Sequence, residues 1–204
     1  MSAENQVIYI VDDDPDLCKA LSWLLGSVDL KVETYSSAID FLKAYQSKWR
    51  GCLLIDIRMP LMSGLQLQEK LIELGNLIPI IMISGHGDIS MAVRAMKAGA
   101  VDFITKPFND QLLLEQIQKA LTFDKQTESK QSILNRFRDL TSREQQIFAG
   151  VVAGKMNKQI AHELNISQKT VELHRAHVMQ KMGAKTFADL IRMHIVLEEK
   201  LTAS

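Results

Sequence analysis

Asp12, Asp13, Asp56, Ser84 and Lys106 each stand directly after, or one residue after, a short apolar run. The runs are 7–11, 52–55, 79–83 and 101–105, and each has the length and composition of a buried strand. The 52–55 run ends on Asp56, and Pro60, Ser63 and Gly64 then mark a turn. If the four runs are parallel strands of one sheet, their carboxyl ends share an edge, where open α/β sheets place their chemistry. Three carboxylates, a hydroxyl and an ammonium would meet there. Such oxygens suit Mg²⁺, which keeps several waters and favours phosphate as a co-ligand. A carboxylate so placed can attack a phosphoryl group, while Lys106 and Ser84 neutralise charge on the transferring oxygens. Taken singly, each residue has a plainer reading. Asp56 alone could cap a helix, and the adjacent Asp12 and Asp13 are tolerable if solvated or if a cation lies near them.

The elements that must position these groups alternate along the chain. Asp14 caps a helix that has Pro15 at its first position, with Leu17, Ala20, Leu21, Leu24 and Leu25 forming one apolar stripe. A strand at 31–35 and a helix at 37–45 follow, then the Asp56 strand and a helix at about 65–74. After the 79–83 strand, Asp88 opens a helix that stops at Gly99. The fifth strand ends on Lys106-Pro107, and Asn109 or Asp110 caps a last helix to about Leu121. Five strands with helical crossovers imply a parallel sheet covered on both faces.

Composition sets the broad class. The chain has 204 residues, 47% apolar and 24% charged, which accommodates one large domain or two small ones. No apolar run reaches the roughly 20 residues of a membrane helix, and the first residues lack the pattern of a signal peptide. Cys18 and Cys52 offer neither a disulfide framework nor metal spacing. Cytoplasm is the expected location, with no membrane partner. The formal net charge of +0 conceals an asymmetry. Residues 1–121 carry 15 acidic and 11 basic side chains, whereas 139–204 carry 7 and 9. Lysines and Arg175 concentrate in 155–185, a pattern that a phosphate backbone would attract.

Four pieces carry a family resemblance: Val11-Asp12-Asp13-Asp14, Asp56-Ile57-Arg58-Met59-Pro60 with Gly64, Ser84-Gly85, and Lys106-Pro107-Phe108. Together they resemble the receiver domain of two-component response regulators. The resemblance implies a flavodoxin-like sheet of order 2-1-3-4-5 and phosphorylation of Asp56 by a histidine kinase. It also implies Mg²⁺ held by Asp12 or Asp13, Asp56 and the backbone carbonyl of Arg58, phosphate contacts from Ser84 and Lys106, and a cis Lys106-Pro107 bond. Phe103 falls at the family's aromatic switch position; its other reading is a β-strand core residue. Gly85-His86-Gly87-Asp88 and the following Met91-Ala92-Val93 are similar to the FixJ branch, whose helix 4 and strand 5 pair two receivers. His86, flanked by glycines, reads as a loop residue.

Residues 123–138 are polar over 125–131 and contain no Gly or Pro, so they read as a solvated, partly helical connector. From 139 to 204 the pattern is all-helical. Thr141 and Glu144 fit a capping box, and further helices are expected over 157–164, 168–182 and 187 to about 197. Leu140-Thr141-Ser142-Arg143-Glu144, Asn157-Lys158-Gln159-Ile160-Ala161 and Ser167-Gln168-Lys169-Thr170-Val171-Glu172-Leu173-His174 are similar to LuxR/NarL-type helix-turn-helix domains. That resemblance implies that Lys169, Thr170, Glu172, Arg175 and Ala176 face a DNA groove. It places Lys158, His174 and Lys181 near phosphates. His174 and His177 lie three apart, but with no further ligands beside them a metal site is not expected there.

The reading is a phosphorylation-switched, DNA-binding transcription regulator rather than an enzyme. Its domains are a receiver over 1–122, a linker over 123–138 and a helix-turn-helix domain over 139–204. Its implied partners are a sensor histidine kinase, double-stranded DNA, a second copy of the chain and RNA polymerase. A phosphatase is disfavoured because the nucleophile candidate ends the third strand, and no second acid is placed to protonate a leaving group. A protein-binding adaptor that has lost DNA contact is the other rival.

Overall fold

A computed structural model describes residues 6–85 and 89–201. The expectations for His86 and Asp88 lie outside the described residues. The chain divides into two compact units, Met1–Gln126 and Thr127–Ser204.

The first unit is built from β1 (Val7–Val11), α1 (Pro15–Gly26), β2 (Lys31–Tyr35), α2 (Ala38–Ala44), β3 (Gly51–Asp56), α3 (Gly64–Glu73), β4 (Ile80–Ser84), α4 (Ile89–Lys97) and β5 (Asp102–Thr105), and by the first part of α5 (Asp110–Arg138). All strand pairs are parallel, in the order β2-β1-β3-β4-β5. Side chains alternate between faces along a strand, and this splits the core in two. Tyr9, Val11, Leu53 and Ile55 belong to one buried cluster with Phe41, Leu67 and Leu71. Ile8, Ile10, Cys52 and Leu54 belong to the other, with Leu21, Leu25, Leu113 and Ile117. β3 is buried at all six residues, as expected of a central strand covered on both faces.

Helix starts follow their capping chemistry. The Asp14 carboxylate accepts from the N–H groups of Asp16 (2.9 Å) and Leu17 (3.1 Å), with Pro15 next in line. Ser37 caps α2, Ser63 and Gln66 form a capping box on α3, and Asn109 accepts from Gln111 N–H at the start of α5. Gly64, expected in the turn, is the first residue of α3. A Cβ there would run into the Asp56 carbonyl oxygen, so the absence of a side chain lets helix and strand approach.

α5 does not stop near Leu121. It continues without a break to Arg138, since nothing in the segment interrupts an α-helix. Asp124, within the expected solvated connector, is buried: Oδ2 accepts from Gln6 Nε2 (2.9 Å) and Gly51 N–H (3.1 Å), and Oδ1 lies 2.9 Å from Arg50 Nη2. Ile133, Leu134 and Phe137 pack against the core of the second unit.

The second unit comprises the end of α5, α6 (Ser142–Val152), α7 (Asn157–Leu164), α8 (Gln168–Met182) and α9 (Phe187–Leu201). Its core joins Leu140, Ile147, Phe148, Val151, Ile160, Val171, Val178, Met182, Leu190 and Leu197. Thr141 and Glu144 form the expected capping box on α6. Asn165, at φ 51°, ends α7, and Ser167 opens α8 by accepting from Thr170 N–H at 3.0 Å. This is a helix-turn-helix. No helix among the described residues is long and apolar enough to cross a membrane.

Candidate functional site

The strand ends of the first unit bring the predicted residues to one edge. Lys106 Nζ lies 2.8 Å from Asp12 Oδ2 and 2.7 Å from Asp56 Oδ1, so one ammonium joins the ends of β1, β3 and β5. Asp12 and Asp56 are buried, while Asp13 is exposed. Asp56 Oδ2 accepts from the Arg58 N–H at 2.6 Å, and Asp12 Oδ1 from the Asp14 N–H at 2.9 Å. Each buried carboxylate is therefore held in orientation by the loop that follows its strand.

Ser84 is buried at the end of β4, and its carbonyl accepts from Lys106 N–H at 2.7 Å, which fixes the Lys106 backbone beside it. The Lys106–Pro107 peptide is cis, as the resemblance implied. Phe103, on β5, is half-buried against the first core cluster. An open cavity of about 690 Å³ is lined by Asp13, Arg58, Met59, Pro60 and Met91, so there is room beside Asp13 and the loop that follows Asp56.

Burial pushes the Asp56 carboxyl above the ordinary value, and neighbouring Asp12 pushes the same way, against the hydrogen bonds from Lys106 and Arg58; burial also raises Asp124, away from the strand ends. For Lys106, burial works against the charge, but the two carboxylates outweigh it and hold the ammonium above its usual range. Two buried carboxylates share one ammonium, and Asp13 follows Asp12 in the chain, so the edge carries excess negative charge, which suits a hard divalent cation. Mg²⁺ needs only one or two carboxylates beside its waters, and the buried Asp12 and Asp56 with the exposed Asp13 are compatible with that donor set.

The second unit sorts its predicted residues into two groups. Lys158, Lys169, Glu172 and Ala176 are exposed. At 100° per residue, Lys169, Glu172 and Ala176 share one face of α8. Leu173, which the sequence reading passed over, lies on that same face and is 58% exposed; the i, i+3, i+4, i+7 spacing from Lys169 was the available signal. The others are engaged inside the unit. Arg175 Nη1 donates to Asn157 Oδ1 at 2.7 Å, tying α8 to the start of α7. The Thr170 hydroxyl pairs with Ser167 Oγ at 2.8 Å. Lys181 Nζ lies 2.7 Å from Glu144 Oε2, and His174 is half-buried.

Comparison with known proteins agrees with this geometry in both units. Residues 8–118 match the response regulator receiver domain, and residues 138–194 match the bacterial regulatory proteins of the luxR family. The response regulator protein TodT of Pseudomonas putida is 48% identical over 98% of this chain and 90% of its own. The transcriptional regulatory protein FixJ of Rhizobium meliloti is 44% identical over 93% of this chain and 95% of its own. Among solved structures, the response regulator StyR matches with a TM-score of 0.72 at 42% identity, covering 93% of this chain and 98% of that one. The chain belongs to the two-component response regulators and is a transcriptional regulator, joining a receiver domain to a LuxR-type DNA-binding domain.

Proposed function

We propose that a cognate sensor histidine kinase phosphorylates Asp56, and that the phosphoryl group promotes pairing of two receivers and occupancy of two DNA half-sites. The observation that carries this reading is the Lys106 ammonium shared by Asp12 and Asp56 where the ends of β1, β3 and β5 meet. In the transfer, an Asp56 carboxylate oxygen attacks phosphorus, and the bond from phosphorus to the kinase imidazole nitrogen breaks, that nitrogen keeping the electron pair. The Lys106 ammonium is within reach of the phosphoryl oxygens, and the Ser84 hydroxyl lies at the next strand end. Asp12, Asp13, Asp56 and the backbone carbonyl of Arg58 would hold Mg²⁺, which when bound supplies further positive charge to the phosphoryl oxygens.

A phosphoryl group can shift the molecule only through a free-energy difference between two states. Ser84 and Phe103 are the residues proposed to respond. The α4–β5 face is the proposed pairing surface, and Ile89 (80%), Val93 (46%) and Met96 (46%) are exposed along α4. On α8, Lys169, Glu172, Leu173 and Ala176 are proposed to enter the major groove, with Lys158 beside a phosphate. Thr170 and Arg175, held by Ser167 and Asn157, are also proposed to face the groove, and His174 and Lys181 to lie near phosphates. RNA polymerase is the proposed downstream partner, and the cytoplasm the proposed location.

Intact mass after treatment with acetyl phosphate tests the first step. One Mg²⁺-dependent phosphoryl adduct is expected, absent from Asp56→Asn; an adduct of equal yield on the variant would refute the assignment. For the DNA step, Lys169→Ala is expected to lower the slope of log affinity against log salt by about 1. An unchanged slope would remove Lys169 from the interface.

A further inference from the structure

Glu144, His174 and His177 stand 30 or more residues apart or on separate turns in the sequence, yet the fold brings one ligand atom of each within 4.8 Å of the others. Among the described residues they are the His, Cys, Asp and Glu side chains that converge in this way. Glu144 is on the first turn of α6, and the two histidines are one turn apart on the flank of α8 that faces it.

The state of each ligand atom suits a metal ion. Glu144 is buried, and only one of its oxygens is in use: Oε2 accepts from Thr141 N–H (2.8 Å), Thr141 Oγ1 (3.0 Å) and Lys181 Nζ (2.7 Å). The other oxygen, Oε1, has His177 Nδ1 at 4.0 Å, too far for a hydrogen bond. A carboxylate with one oxygen fixed by outer hydrogen bonds and the other open is how protein metal ligands are held. His174 Nδ1 is buried with no hydrogen-bond partner, and a buried imidazole nitrogen left unpaired costs free energy unless something satisfies it. The His177 side chain is 47% exposed, which leaves an entry path and room for water.

We infer that Glu144, His174 and His177 form a binding site for a divalent transition ion of the zinc type, with water completing the coordination. Two imidazoles and a carboxylate are the ligand set such ions select, whereas Mg²⁺ prefers oxygen alone. The site is separate from the carboxylate edge of the receiver. An ion there would clamp α6 to α8 and fix the pitch of the helix that carries Lys169, Glu172, Leu173 and Ala176. The Lys181 ammonium on the neighbouring oxygen repels a dication, so the site fills when the metal is abundant rather than serving as a permanent staple.

Zinc chloride is titrated into the full-length protein against a chromogenic chelator, with Mg²⁺ in excess to occupy the receiver edge. The wild type is expected to take up one zinc, and His177→Ala to bind it at least about tenfold more weakly, since loss of even an outer partner of a ligand costs tenfold or more. Asp56→Asn is expected to bind zinc as the wild type does. Zinc is also expected to raise the thermal midpoint of the wild type in far-ultraviolet circular dichroism and to leave that of His177→Ala in place. No uptake by the wild type, equal uptake by His177→Ala, or uptake lost in Asp56→Asn would each overturn the assignment.

Discussion

Asp56 and Glu144 are both buried carboxylates, each hydrogen-bonded to a lysine at 2.7 Å, yet their environments push them in opposite directions. Burial raises the Asp56 carboxyl, with Asp12 adding to it and two donors too few to offset it. The Lys181 ammonium, with the Thr141 N–H and hydroxyl, brings the Glu144 carboxyl down to about 2. The difference lies in who else shares the lysine. Lys106 divides its ammonium between Asp56 and Asp12, whereas Glu144 has Lys181 and a capping box converging on one oxygen. A carboxylate left short of stabilisation has something to gain from a cation and a phosphoryl group. A satisfied one holds two helices together, and its neighbouring oxygen remains available.

The comparison can be probed region by region, because both tryptophans, Trp23 and Trp49, lie in the first unit. Tryptophan fluorescence therefore follows the receiver, while far-ultraviolet circular dichroism follows both units. The largest effect is expected from Gly64→Ala, whose new methyl meets the Asp56 carbonyl and the Ile55 side chain. It should cost the receiver about 3 kcal/mol in urea melts read by fluorescence. A change under 1 kcal/mol would mean that the strand end yields more easily than its packing indicates. Lys106→Ala leaves two buried carboxylates without their shared cation and should cost about 2 kcal/mol, with no shift in the transition of the helical unit. Lys181→Ala should cost the helical unit about 1 kcal/mol, since the side chain is 40% exposed and water screens its charge.

Acid sharpens the contrast. Glu144 has a folded value below its ordinary 4.5, so its contribution is complete above that pH and is lost as pH falls towards about 2. Asp56 has a folded value above its ordinary 3.8, so its ionisation penalises the receiver at neutral pH, and the penalty is relieved as pH falls through the raised value. As pH falls from neutrality through the raised value towards 3.8, wild-type receiver stability should therefore decline less than that of Asp56→Asn, which lacks this relief. A steeper decline in the wild type would reverse the sign argued for Asp56. The smallest effect is expected at the exposed Lys155–Glu163 pair, where Lys155→Ala should change stability by under about 0.5 kcal/mol.

Much of the receiver was legible because its information is local. Apolar runs, Pro15 and the capping aspartates and serines fix strands and helix starts within a few residues, and the parallel order then forces Asp12, Asp56, Ser84 and Lys106 to one edge. What escaped reading depends on distant partners. Asp124 looks like a solvated linker residue until Arg50 and Gln6 close over it. Ile133, Leu134 and Phe137 are too few in a polar window to announce a buried stripe. The residues proposed for the groove show the same limit: Arg175 carries a charge suited to DNA, but only the fold reveals Asn157 beside it. The capping box named Glu144 correctly, whereas Lys181, 37 residues on, came from the fold.

β3 is bonded to β1 on one side and β4 on the other and is buried at every residue. Amides in such a strand exchange with solvent only when the whole unit opens, while edge strands and loops exchange through small local fluctuations. Asp56 is thus mounted on the slowest clock in its domain. Any response to a phosphoryl group must be carried by the faster parts around it, the loop after β3 and the half-buried β5, turning about an attachment point that itself stays still.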